Sequence, residues 1–202
     1  MGKKKVWASL NIIRSFPAIL AYCLSSSKNI IEKDLQRWAS IERIADFHWP
    51  SWIYLNWFLV YKKEFRNLFY YRIGNGLISK FLAMLYPRLS TLYICTPSIG
   101  PGLYISHGFS TIITAKSVGE NCWINQQVTV GYGNNPAPPV IGNNVRIGAG
   151  AIVIGNITVG DHAFIGAGAV VAKNVAERSV MIGNPAFVLR KNEDVKKEIE
   201  IE

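Results

Sequence analysis

"IGAGAIVIGNITVGDHAFIGAGAV", residues 147–170, sets Ile147, Val153, Val159 and Ile165 six residues apart. An amphipathic helix spaces its apolar residues by about 3.6, and a half-buried strand alternates them. Six serves neither. It serves a coil of short straight segments, each pointing an aliphatic residue inward and ending in a turn. The register extends to Ile141 on one side and Val171 on the other. Four places after each member comes a small or apolar residue: Val145, Ala151, Ile157, Ala163, Ala169 and Val175. Glycine follows directly at 142, 148, 160 and 166, where a turn can adopt backbone angles that would strain a Cβ. Upstream the unit recurs as Ile99/Leu103 and Ile105/Phe109, slips by one residue, and resumes at Val118/Cys122, Ile124/Val128 and Val130. "GYGNNPAPP", residues 131–139, interrupts two regular units. This is the hexapeptide signature of a parallel β-helix, in which each coil covers the apolar face of the next. With three units per turn, Ile99 to Val175 predicts about four coils, roughly 20 Å tall at about 4.8 Å per strand layer. A Gly/Ala-rich linker would not hold branched residues in phase over six units.

The 202 residues are 50% hydrophobic, enough for one or two modest domains with a real core. The net charge of +9 is unevenly placed: residues 1–98 hold 14 Lys/Arg against 5 Asp/Glu, and the remainder 8 against 8. The first half also holds every tryptophan but Trp123, and reads as helical in "IIEKDLQRWASIERIADF" and "YKKEFRNLFYYRIGNGLISKFLAMLY". The expected organisation is an α-helical region over 1–96, a mainly β catalytic solenoid over 97–180 and a tail over 181–202. The longest apolar stretch, Trp52 to Tyr61, contains Asn56 and falls short of the about 20 residues of a membrane span. Arg14 and Pro17 interrupt the apolar run near the N-terminus, so no secretory signal is expected. Three cysteines without a C-x-x-C pair, Cys23, Cys95 and Cys122, read as buried thiols of a reducing compartment, which makes the cytoplasm the expected location. A basic, aromatic helical region suits peripheral contact with the inner face of an anionic membrane. Its plainer reading is a helical cap whose aromatics form a core of their own and bury neighbouring subunits.

Chemistry must come from residues the repeat does not need. His107, in "GLYISHGFSTII", stands two places after inward Ile105 and should point out of the coil. An imidazole there can take a proton from a hydroxyl group, or be a solvated surface residue. His162 falls on an outward position of a regular unit and reads as surface, and His48 as a packed helix-end residue.

"RIGAGAIVIGNITVGDHAFIGAGAVVAKNV" followed by "GNPAFVLRK" resembles the hexapeptide-repeat acyltransferases, whose solenoid is a left-handed β-helix. The likeness covers roughly residues 97 to 191, and the nearest branch is that of the serine O-acetyltransferases and the polysaccharide O-acetyltransferases. "EFRNLFYYRIG" is similar to the helix leading into the solenoid in the polysaccharide-type members. The resemblance implies that His107 is the general base on an acceptor hydroxyl, which attacks the thioester of acetyl-CoA, with no metal required. It implies Ser106 and Gln126 as acceptor neighbours, and Gly131 and Gly133, in "INQQVTVGYG", as cofactor neighbours. The pantetheine arm is expected along Gly148, Ala149, Gly150, Ala167 and Gly168, whose short side chains leave backbone groups reachable. For Gly148 the alternative is that the turn wants glycine whatever binds. Lys173, Arg190 and Lys191 match basic positions suited to nucleotide phosphates. The family's solenoids associate as trimers with the site between two of them, and no nucleic-acid partner is expected.

The serine-acetylating pattern has an aspartate directly before the base, where this chain has Ser106, and another upstream, matched here to Leu92. Its Arg-His-Pro grip on the serine carboxylate is replaced by Ala137-Pro138-Pro139. A zwitterionic acceptor would find few ionic partners there. The expected acceptor is therefore a sugar of a surface polysaccharide or its precursor, with L-serine, as in cysteine biosynthesis, the alternative. A non-catalytic solenoid and a zinc-dependent one are the rivals from other classes. The second would need three histidines to converge.

Overall fold

The computed structural model describes residues 11–74, 76–134 and 136–191, the side chains of Arg190 and Lys191 excepted. The chain divides into two compact units at Ser90/Thr91.

The first unit holds five described helices: α1 (Ile12–Leu24), α2 (Lys28–Ile41), α3 (Ser51–Tyr61), α4 (Lys63–Ile73) and α5 (Leu77–Leu85). Pro17 lies inside α1 without ending it. The second stretch read as helical from sequence holds α4 and α5, with α4 ending at Gly74, whose φ of 84° is a left-handed value that favours glycine. The core is aromatic: Trp38 meets Phe58 and Phe65 edge-on at 5.8 and 5.2 Å between ring centroids. Burial pushes the Tyr70 phenol up to about 12, and its hydroxyl donates to the Leu82 and Tyr86 carbonyls. Two polar clusters tie helices together inside this core. Ser15 of α1 donates to Asn56 of α3 at 2.6 Å and shares a hydrogen bond with the Tyr86 hydroxyl at 2.7 Å. Asp34 of α2 accepts from Arg72 of α4 at 2.8 and 3.3 Å.

The second unit is a β-solenoid of about five turns. Its strands are β1 (Leu92–Ile94), β2 (Tyr104–Ile105), β3 (Thr111–Ile113), β4 (Ser117–Val118), β5 (Trp123–Ile124), β6 (Thr129–Gly131), β7 (Val140–Ile141), β8 (Arg146–Ile147), β9 (Ile152–Ile154), β10 (Thr158–Val159), β11 (Phe164–Ile165), β12 (Val170–Val171), β13 (Ser179–Ile182) and β14 (Phe187–Lys191). The strands stack in parallel from coil to coil, every third strand through the regular coils. Sheet I runs β1-β3-β6-β9-β12, sheet II β4-β7-β10, and sheet III β2-β5-β8-β11-β13, with β14 returning antiparallel on β13. Bridges from Ile99 to Val118 and from Val159 to Val175 extend sheet II by one coil at each end. The fifth coil, beyond the four expected, arises because β1 precedes Ile99 and β13 follows Val175. The hexapeptide register is the core: Ile141, Ile147, Val153, Val159, Ile165 and Val171 are all buried.

Two expectations about individual residues need correction. Phe109 is 44% exposed, and Thr111 takes the inward position instead, its hydroxyl donating to the Phe109 carbonyl at 3.1 Å. Of the three cysteines only Cys122 is buried, with its thiol pushed up to about 12 by burial; Cys23, on α1, and Cys95, just after β1, are exposed.

The edge between sheets II and III is held by a side-chain ladder. Asn143 Oδ1 accepts from the Glu120 N–H at 2.9 Å, while Asp161 accepts from the Asn143 N–H at 2.8 Å and from its side-chain amide at 3.1 Å. The backbone N–H of Asn143, then its side-chain amide, hold the Asp161 carboxyl below its ordinary value. A depressed carboxyl contributes stability above its unfolded value, about 3.9, and loses it as pH falls through the lower folded value. Asn143→Ala is therefore expected to cost about 1 kcal/mol at neutral pH and to make acid unfolding between about pH 4 and the folded value less steep. Urea melts across that range would check both effects.

Candidate active site

Successive coils keep a fixed interval around the edge between sheets III and I. From Ile124 to Val130, from Ile147 to Val153 and from Ile165 to Val171 it is six residues. From Ile105 to Ile113 it is eight. The backbone ladder locates the two extra residues. Ser106 N–H donates to the Ile124 carbonyl, so Ser106 stands beside Asn125; Gln127 N–H donates to the Phe109 carbonyl, so the regular edge resumes at Phe109. The additional pair is His107 and Gly108, with φ of 63° and 46°. The one-residue slip read from the sequence is thus two residues gained here and one lost at the next edge.

His107 is exposed on this protrusion, and its ring makes no hydrogen bond among the described residues. Below it the edge is a column of Gln126, Ala149 and Ala167, with Gln127, Gly150 and Gly168 in the left-handed region, as the backbone bonds Gly150 N–H to Gln126 carbonyl and Gly168 N–H to Ala149 carbonyl require. The N–H groups of Gln126, Ala149 and Ala167 find no acceptor among the described residues. From His107 to the Ala167 layer is three coils, about 14 Å. Such an edge can bind an extended chain of amides beneath a base.

Of the residues expected at the site, Ser106, His107, Gln126, Gly148, Ala149, Gly150, Ala167 and Gly168 share this edge. Gly148 is buried there and gives its N–H to Ile165. A Cβ on it would lie 2.6 Å from the backbone nitrogen of Ala167, so close coil packing accounts for the glycine. Gly131, Gly133 and exposed Lys173 lie at the other side of sheet I, on its edge with sheet II, about 13 Å away along the strand in one protomer. Arg190 and Lys191 are placed in β14, but their side chains lie outside the described residues. Leu92 is buried in the first coil.

Sequence reasoning missed Asn125, the polar neighbour of Ser106, whose side-chain oxygen accepts from Trp123 Nε1 at 2.9 Å. An asparagine at a turn looks like a turn former, and only the register sets it beside the histidine edge. His162 lies on the edge between sheets II and III, in the same left-handed turn position as Asn121 and Asn144, its N–H donating to the Asn143 carbonyl. It serves the turn and stands on a different edge from His107. His48 ends a short 3-10 turn as expected, but is exposed rather than packed, its ring bonded to the Asp46 carbonyl.

Residues 138–173 match the family "Bacterial transferase hexapeptide (six repeats)". The chain is 37% identical over 153 residues to probable serine acetyltransferase 2 of Oryza sativa subsp. japonica, an alignment covering 69% of this chain and 43% of that protein. It is 34% identical over 154 residues to the serine acetyltransferase of Buchnera aphidicola subsp. Schizaphis graminum, covering 70% and 59%. The chain spans about half the length of the curated relatives it matches. Among solved structures, Neisseria gonorrhoeae serine acetyltransferase in complex with serine superposes with a TM-score of 0.64 at 26% identity, covering 85% of this chain and 72% of that one. The chain thus carries hexapeptide repeats over residues 138–173 and is similar, in sequence and in fold, to serine acetyltransferases.

Proposed function

We propose that the protein is an acetyl-CoA-dependent O-acetyltransferase with His107 as its general base. The observation that carries the reading is the two-residue protrusion: among the described residues it sets an imidazole without a hydrogen bond at the head of an edge on which the N–H groups of Gln126, Ala149 and Ala167 find no acceptor. The base takes the proton of an acceptor hydroxyl, whose oxygen attacks the thioester carbonyl. The carbon–sulfur bond then breaks, and the coenzyme A thiolate leaves with the proton returned by His107. The amides of the pantetheine arm are suited to the N–H groups of Ala149 and Ala167. In a trimer, the assembly implied by the family resemblance, the edge bearing Gly131, Gly133 and Lys173 on a neighbouring copy would complete the pocket.

The relatives' names favour L-serine as the acceptor over the sugar read from the sequence. One argument for the sugar also weakens. Leu92 belongs to the solenoid core, so its apolar character reflects packing and not the charge of an acceptor. The second reading, a neutral sugar hydroxyl, keeps the support of Ser106 before the base and of Ala137-Pro138-Pro139 in the insertion. Thiol release from acetyl-CoA, measured with L-serine and with a panel of neutral sugars, separates them. Higher kcat/KM for L-serine than for any sugar is the expected result, and the reverse order would give the acceptor to the carbohydrate. No acceptor-dependent release with either class would end the transferase reading.

A further inference from the structure

The helical unit leaves one face that its own core does not cover. On α1, Ile13, Phe16, Leu20 and Leu24 are exposed, Ile13 by 87%. On neighbouring α5, Leu77, Ile78, Phe81 and Met84 are exposed, Met84 by 80%. A groove of about 600 Å³ lined by residues of both helices runs along this face. Most aromatics of the unit pack in its core, but Phe16 and Phe81 are among these eight exposed side chains.

The charges around the face are mainly positive, with Glu32, bonded to the Tyr22 hydroxyl of α1 beside Lys28, as an acid at its margin. Neither helix contains Asp or Glu, and residues 1–31 and 65–119 contain none at all. Arg14, Lys28, Lys80 and Arg88 flank it; the Arg14 guanidinium bonds the Leu85 carbonyl and lies over the Tyr86 ring, and Lys28, Lys80 and Arg88 are exposed. No described helix is long and apolar enough to cross a membrane. We infer that the α1–α5 face is a docking surface for an anionic lipid bilayer, lying in the headgroup plane with its apolar side chains in the acyl boundary. An amphipathic surface with aromatic and aliphatic residues on one side and cations at its rim has the chemistry of interfacial binding. A second copy of the same face would bring like cations together with no carboxylate on either helix to offset them. Anionic headgroups offset them directly, at about a fivefold gain in affinity per cation.

Co-sedimentation of the full chain with phosphatidylcholine vesicles, with and without phosphatidylglycerol, tests this. Binding is expected only with the anionic lipid and should weaken as salt is raised. Phe16→Gln with Phe81→Gln should lower binding by at least about tenfold, since two buried side chains are lost, and Lys80→Ala by about fivefold. Circular dichroism and acetyl-CoA turnover with a small acceptor should not change, because these exposed side chains belong to the helical unit while the His107 edge is built by the solenoid, so the result is read independently of the transferase proposal. Failure of the wild-type chain to pellet with the anionic vesicles would overturn the inference. So would dissociation of a native oligomer by the double glutamine variant, which would make the face an interface between copies.

Discussion

Replacement of His107 by alanine is expected to lower kcat by about 10²–10⁴-fold, the range for a positioned general base. That corresponds to about 3–5 kcal/mol of transition-state stabilisation. The coil should survive the change. The ring is exposed and bonds nothing among the described residues, while the protrusion is held by its backbone, through the Ser106 N–H to Ile124 and the Gln127 N–H to the Phe109 carbonyl. Because φ at this residue is 63°, asparagine, which tolerates the left-handed region, is the better-matched companion. His107→Asn should match alanine in turnover and the wild type in melting temperature. Binding of coenzyme A, measured by calorimetry, should change little in either variant, since the N–H groups proposed for the pantetheine arm lie on lower coils. A variant that retains full turnover would remove His107 from the chemistry and assign the base to another group.

The solenoid was legible because its inward positions repeat. Each coil makes the same demand for an aliphatic residue at Ile141, Ile147, Val153, Val159, Ile165 and Val171, and a repeated demand leaves a period in the sequence. His107 was legible as an outward residue for the same reason. What the repeat could not reveal is where it breaks. Two residues gained beside Ile105 and one lost before Val118 leave only a net slip of one in the sequence. Phe109 therefore looked inward, and Thr111, whose hydroxyl is satisfied by a backbone carbonyl, did not look like core. Gly131 and Gly133 follow Gln126 closely in sequence, yet a three-residue strand carries them to the next edge. Nearness along the chain and nearness around the prism diverge at every corner. The helical unit shows a different limit. Its aromatics announced a core, but whether Ile13 or Ile31 faces that core depends on which helices pack against α1 and α2, a long-range choice that local pattern does not encode.

Asp34→Ala is expected to destabilise the helical unit by about 3–5 kcal/mol, the cost of leaving a buried charge without its partner. Asp34 and Arg72 have side chains only 1% and 4% exposed, and they join α2 to α4 through hydrogen bonds at 2.8 and 3.3 Å. Alanine would leave the buried Arg72 guanidinium, which also lies over the Tyr71 ring, without the Asp34 carboxylate. For a domain of ordinary stability, about 5–15 kcal/mol, that loss is a large share. Urea denaturation followed through the helical signal would measure it. Replacing both partners by leucine, which removes the stranded charge together with the pair, should recover most of the loss, and the double-mutant cycle isolates the coupling. Near-equal stability of the alanine variant and the wild type would mean that water reaches Arg72 and that the pair does not hold α2 to α4. The opposite failure, a double-leucine chain no more stable than the single alanine variant, would place the cost in packing around the two side chains rather than in the uncompensated charge.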